Sequence, residues 1–253
     1  MHEPFITAKM LISRAKKHIA ELRGSINSFL DGNSWPHFVK KDTDGVTDIH
    51  GVRIPPNDSA NWTLIAFDAC NNLRSALDQT AFNVAILIGK PDAKAAKFPF
   101  GPTEFDMLNN LAGGCKDLPP EIQALFKTFR PYKGGNNTLW ALNELVNTKK
   151  HKLLIPFGLS TANFKIPDAM NGNPFASNFF RFDGFKNKIT LLKVAPGGQH
   201  LKYEVHITAT IAIDHAEEII RGQHPIALLD ACTSEVERVG MATEAECIRL
   251  GLM

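Results

Sequence analysis

The sequence predicts an α+β protein: an N-terminal helical bundle packed with a C-terminal antiparallel sheet and a closing helix. Three observations predict it. Up to about residue 155, apolar residues recur at three- and four-residue spacing over long runs, the period of amphipathic helices. After Pro156 the pattern changes to short alternating runs separated by turn residues, the period of half-buried strands. From Pro225 a helical stripe resumes. Hydrophobic residues make up 44% of 253, enough to fill a core. The expected division is a helical bundle over 1–155 and a sheet with its final helix over 156–253, together one compact unit.

Each element has its own signal. Ile6, Met10, Ile19, Leu22, Ile26 and Phe29 recur at helical spacing with lysines and Glu21 between them, so 5–30 reads as one long helix that Asp31-Gly32-Asn33 ends. The Gly-, Pro- and Asp-rich stretch to Asp58 reads as irregular, with at most a short hairpin near VTDIHGVRI. Asp58 or Ser59 caps a second helix running through Ile88, where Gly89 and Pro91 stop it. KFPFGPTEF is a loop into a short helix, and LPPEIQALFKTF starts another with prolines in its first turn. TLWALNELVNTKKHKLL restores helical periodicity until Pro156. FFRF, KITLLKV and HLKYEVHITATIAI are the expected strands, and PIALLDACTSEVERV supplies the closing helix with one buried stripe.

Composition excludes several classes. With 28 Lys and Arg against 26 Asp and Glu, the chain has no strong net field to draw in nucleic acid or an anionic membrane, so any such partner must be recognised locally. Cys70, Cys115, Cys232 and Cys247 show no metal or redox spacing and read as free thiols of a reducing, cytosolic compartment. The N-terminus lacks the layout of a secretory signal, and AFNVAILIG is too short to span a bilayer, so no membrane partner is expected.

The second helix carries an unusual polar face. Asp68, Asn71, Asn72, Ser75, Gln79 and Phe82 stack on one side, because residues three and four apart are helical neighbours. In the later helix Trp140, Glu144, Asn147 and His151 form a second strip. Two such strips facing each other make a polar network whose every buried donor and acceptor needs a partner. One use is structural, the network locking helix register. The other is chemical: Arg74 presents a fork for phosphate oxygens and His151 titrates near neutrality, a pair sufficient for metal-free RNA cleavage. Arg74 has an alternative in an ion pair with Asp78 or Asp68. His151 has one as a cation at a helix C-terminus beside Lys149, Lys150 and Lys152.

These residues carry a resemblance. Asp68-Ala-Cys-Asn-Asn-Leu-Arg-Ser-Ala-Leu-Asp-Gln79 resembles the D-x-x-H-N-L-R-x-A-L-D-H helix of a group of uncharacterised bacterial proteins. NTKKHK resembles that group's N-x-D-K-H-[RK] helix end, which follows an L-W-x-L-x-x-L segment and a P-Y loop as Leu139–Leu145 and Pro131-Tyr132 do here. The likeness spans roughly 60 to 157. The group's R-x-x-x-x-H spacing is that of HEPN helical ribonucleases, in which arginine binds phosphate and histidine moves protons in dimeric sites. Gln79 and Asn71 stand here where the group has histidine, and neither amide can act as a general acid or base. Either catalysis is lost or His151 substitutes.

The catalytic candidates are Arg74 and His151, read from the residues themselves, with His151 standing in for the histidines the resemblance would place at 71 and 79. Asp68, Asn71, Asn72, Asp78, Gln79, Glu144, Asn147 and Lys150 are then the binding residues, with RNA or a nucleotide as ligand, or a protein partner, and a homodimer as assembly. No cofactor or metal is expected: Asp68, Glu144 and His151 lack the several carboxylates and Glu-x-x-His pairs of bundle metal sites. The glycine-rich GGNN and PGGQ read as turns, and the serines and cysteines lack nucleophile motifs. Lys127, Arg130 and Lys133 with KKHK form a modest basic edge near Phe129, Tyr132 and Trp140. The alternative to a ligand site is a non-catalytic structural or protein-interaction module with a buried polar network.

Overall fold

The computed structural model describes residues 4–31, 35–54, 58–90, 96–147, 157–165, 176–183, 188–195 and 206–253. It is an α+β fold that begins with helices, contains an antiparallel sheet and ends in a helix. The chain divides into two compact units: Met1–Ser25, Ser59–Gly158 and Ala212–Met253 form a helical unit, and Ile26–Asp58 with Leu159–Ile211 form a sheet unit.

In the helical unit, α1 (Ile6–Asp31, which runs on into the sheet unit) buries Ala8, Ala15, Ile19 and Leu22, a stripe at spacings of seven, four and three. Next come α2 (Ser59–Leu87), α3 (Glu104–Gly114), α4 (Pro120–Thr128), α5 (Asn137–Asn147) and α6 (Pro225–Arg249). The centre is α2, whose Trp62, Leu73 and Leu77 are fully buried. Both α5 and α6 pack on it, and α6 also touches α4 and α5. Trp62 donates its indole N–H to Ser25 Oγ at 2.7 Å, tying α2 to α1.

Local chemistry explains the helix ends. Thr103 caps α3 by accepting from Asp106 N, and prolines occupy the first turns of α4 and α6, where a missing N–H costs nothing. Asn136 Oδ1 accepts from Thr138 N and Leu139 N, both at 3.1 Å, and so starts α5. Along α1, Lys9, Lys16 and Arg23 pair with Glu244, Glu237 and Asp230 of α6. Each rung lies one heptad beyond the last on both helices while the numbering runs in opposite senses, so the two helices are antiparallel.

In the sheet unit, β1 (His37–Lys41), β2 (Asp48–Arg53), β4 (Ala176–Asp183) and β5 (Lys188–Val194) form an antiparallel sheet in the order β1-β2-β5-β4. A separate two-stranded pair joins β3 (Phe157–Lys165) to β6 (His206–Ile213). The β2–β5 register shifts between His50 and Gly51. A Cβ on Gly51 would meet Ile189 O at 2.3 Å and the Phe38 ring at 2.6 Å, so only glycine fits this crossing.

Two expectations change. The 31–58 stretch, read as irregular with at most a short hairpin, does hold that hairpin, and the hairpin supplies two of the four sheet strands, because β2 finds β5 well over a hundred residues later. The final helix belongs to the helical unit, where its Leu229, Cys232, Val236 and Val239 are buried, rather than to the unit of the sheet.

Candidate functional site

The cleft begins at one turn of α2. Asp78 lies one turn beyond Arg74, and the two make an ion pair with Arg74 Nη1 2.5 Å from Asp78 Oδ1. Asp78 Oδ1 also accepts from Phe98 N at 3.0 Å. One carboxylate therefore fixes both the arginine and the loop that follows α2.

That loop, residues 96–102, is pinned along its backbone. Cys115 Sγ donates to Lys97 O at 3.1 Å, and Asn110 Nδ2 donates to Phe100 O at 2.6 Å. Gly101 forms an isolated parallel bridge with Tyr132 and donates to Pro131 O at 3.3 Å. Phe98 holds the loop from inside, with ring centroids 5.1 Å from Phe100 and 5.2 Å from Phe126. A Cβ on Gly101 would lie 2.3 Å from Met107 N, so the loop comes closer to α3 than any other residue permits.

Between this loop, α2 and α5 lies a cleft of about 430 Å³, within the range of small-molecule sites. Its walls include Arg74, Lys97, Phe100, Trp140, Asn143 and Glu144, with Asn147 at the end of α5. Arg74 lies over the Phe100 ring at 4.3 Å and donates Nε–H to Asn143 Oδ1 at 3.3 Å. Among the described residues, Trp140 Nε1 in this wall is a buried donor without a hydrogen-bond acceptor. Arg74 Nη1, buried in the same wall, is held by its ion pair with Asp78. Trp140 is only 7% exposed.

Charge in the cleft is close to balance. Its described charged walls are Arg74, Lys97 and Glu144, with Asp78 beside Arg74. Burial, and then the charge of Asp78, pushes the Cys115 thiol under the loop up to about 12, so it stays protonated and serves as a donor.

The polar face predicted on α2, Asp68, Asn71, Asn72, Ser75, Gln79 and Phe82, does not line this cleft; Arg74, which lies off that face, does. Arg74 shares the cleft with Asn143, Glu144 and Asn147 of α5, with Asp78 beside it. Asn72 instead donates to Asp68 O at 2.7 Å and lines a depression with Thr7, Met10, Leu11 and Arg14 of α1. Asp68 and Ser75 are exposed, and Asn71 and Gln79 are half-buried. The separation follows from geometry: residues 68, 72, 75 and 79 lie about a third of a turn from 74 and 78. Lys150 and His151 lie outside the described residues.

Sequence reasoning overlooked Asn143, Asn110 and the 97–102 loop. Asn143 carried a signal, as a buried amide among Leu139, Leu142 and Leu145. The loop carried only KFPFG, whose role depends on contacts from four other segments. Among the described residues no group of three His, Cys, Asp or Glu could hold a metal ion, and no helix is long and apolar enough to cross a membrane. Comparison with protein-family models, curated proteins and solved structures returned no match.

Proposed function

We propose that this protein binds RNA or a nucleotide in the cleft between α2, α5 and the 97–102 loop. The observation that carries the reading is Trp140 Nε1, a buried donor without an acceptor in the cleft wall that Arg74 shares. A buried donor left unpaired costs about 1–3 kcal/mol, a cost that an acceptor supplied by a ligand would offset. Phe98, Phe100 and Trp140 add the flat apolar walls that suit bases. Cleavage needs a proton carrier as well, the role assigned to His151 from sequence; without one the site is a degenerate relative of a metal-independent ribonuclease. Buried free thiols suit a reducing compartment such as the cytoplasm.

Fluorescence polarisation with labelled mixed-sequence single-stranded RNA tests the binding. Saturable binding is expected, weakened about tenfold or more in Arg74→Ala. The same RNA incubated in EDTA reports turnover, and cleavage that disappears in His151→Ala would establish the catalytic form. The Arg74–Asp78 ion pair favours a second reading, a structural or protein-interaction module. Under that reading Arg74→Ala lowers the melting temperature while no RNA or nucleotide binds at all.

A further inference from the structure

We infer that a pocket on the seam between α1 and α6, separate from the α2–α5 cleft, binds a neutral apolar small molecule. The pocket has a volume of about 280 Å³. Its walls are Phe5, Ala8 and Ile12 at the start of α1, Thr80 of α2, and Gly240 and Met241 of α6. Two ion pairs bracket it, Lys9 with Glu244 at 2.8 Å and Lys16 with Glu237 at 2.6 Å. These rungs stand one heptad apart on both helices, about 10 Å along the axis, and so set the length of the opening.

The fold gives no internal reason for Gly240. It lies inside α6 without a positive φ, where glycine weakens a helix relative to alanine. A Cβ there would meet nothing within 4 Å, so no neighbour forbids a side chain. Because Gly240 lines the pocket, the missing side chain leaves room for a guest. At the other wall Phe5, only 2% exposed, holds a φ of 63°, a conformation rare for a bulky residue. The lining then selects the guest. Its four charged groups are paired with one another, so an ion entering here would meet an ammonium and a carboxylate already matched. Thr80 donates its hydroxyl to Ala76 O at 2.8 Å. An uncharged apolar molecule meets no such obstacle and gains by leaving water. Met241, exposed at the mouth, is unbranched and adapts to different shapes. Ser13, exposed on the rim, suits one polar end such as that of an alcohol.

The test is titration of the full chain with N-phenyl-1-naphthylamine, an uncharged dye that brightens out of water, followed by displacement with 1-octanol, octanoate or octylamine. Saturable binding is expected, with 1-octanol displacing the dye at about tenfold or more lower concentration than either charged analogue. Gly240→Leu, which fills the space, should weaken dye binding about tenfold or more and keep a cooperative melt. Gly240→Ala should raise the melting temperature by about 2–4 °C and weaken the dye less. Should the leucine variant not fold, the wild-type displacement series and the alanine variant decide. Absence of saturable binding overturns the proposal, and so does octanoate or octylamine displacing the dye as well as 1-octanol. Dye binding unchanged in a folded Gly240→Leu overturns it too, by placing the dye elsewhere. A wild-type dimer that Gly240→Leu dissociates would assign the pocket to a second copy of the chain and overturn it as well.

Discussion

Asp78 is where a single side chain does most for the cleft, because it is acceptor for the Phe98 N–H and counter-ion for Arg74 at once. Asp78→Ala removes both functions, leaving a loop amide and a part-buried guanidinium uncompensated. We expect a loss of about 1–3 kcal/mol in urea denaturation. Asp78→Asn keeps a carbonyl for Phe98 and forfeits only the charge, so its loss should be clearly smaller; equal losses would show that the loop hydrogen bond is not what Asp78 supplies. Gly101 makes the complementary point from the backbone. Its Cβ direction is filled by Met107 N at 2.3 Å, a main-chain atom that cannot swing aside. Gly101→Ala should therefore cost about 1–3 kcal/mol and displace the loop. Alanine at the open Gly113, with nothing within 4 Å, should be tolerated in the same denaturation assay.

At the scale of elements, α5 and α6 are joined by a polar link whose strength depends on pH. Asn136, the cap of α5, donates from Nδ2 to Glu235 Oε2 of α6 at 2.6 Å, and Arg238 holds the same carboxylate at 2.6 Å. Burial alone would push Glu235 upward; the hydrogen bonds from Arg238 and Asn136 outweigh it and leave the carboxyl below its ordinary value of 4.5. A carboxyl depressed on folding contributes stability above its unfolded value and loses it as pH falls through its folded one. The link should thus be intact at pH 6 and weaken below pH 4.5. In Glu235→Gln the melting temperature should start lower at pH 6 and fall less steeply toward pH 3.5. A variant whose acid slope matches the wild type would remove Glu235 from the acid transition. The α1–α6 rungs are exposed pairs, each worth about 0–1 kcal/mol and open to salt screening. A Lys9→Ala, Lys16→Ala, Arg23→Ala triple variant should differ measurably from wild type at low salt and much less in concentrated NaCl.

Across the whole molecule, what the sequence made legible is what neighbouring residues decide among themselves. The stripe of α1, the glycine stop after α2 and the strand KITLLKV are local periodicities, and each appears where the pattern puts it. Partner choice is a tertiary matter and was not legible. Nothing in HFVKK says that its hairpin joins a strand far along the chain, and FGLSTANFK lacks the alternation that marks a strand. The stripe of α6 announces burial but not against what. The site shows the same division, since Arg74 and the polar end of α5 were visible, while the loop opposite them is held by Asp78, by Asn110 and Cys115 of α3 and its cap, and by Tyr132, from three separate segments. Those same long-range contacts set the behaviour of the four cysteines, all buried as free thiols and all within the helical unit. Burial pushes Cys70 and Cys115 up to about 12 and Cys247 up to about 11, and Cys232 well above its usual range. At pH 8 a thiol with a value of 12 is ionised in about one molecule in ten thousand. Labelling of the native protein by an aromatic disulfide should therefore be slow at every position and should require the helical unit to open. In denaturant four equivalents should react at once. If opening is global, the native labelling rates of all four thiols rise together as urea is added; one thiol reacting rapidly in buffer would locate a breach in the packing around it.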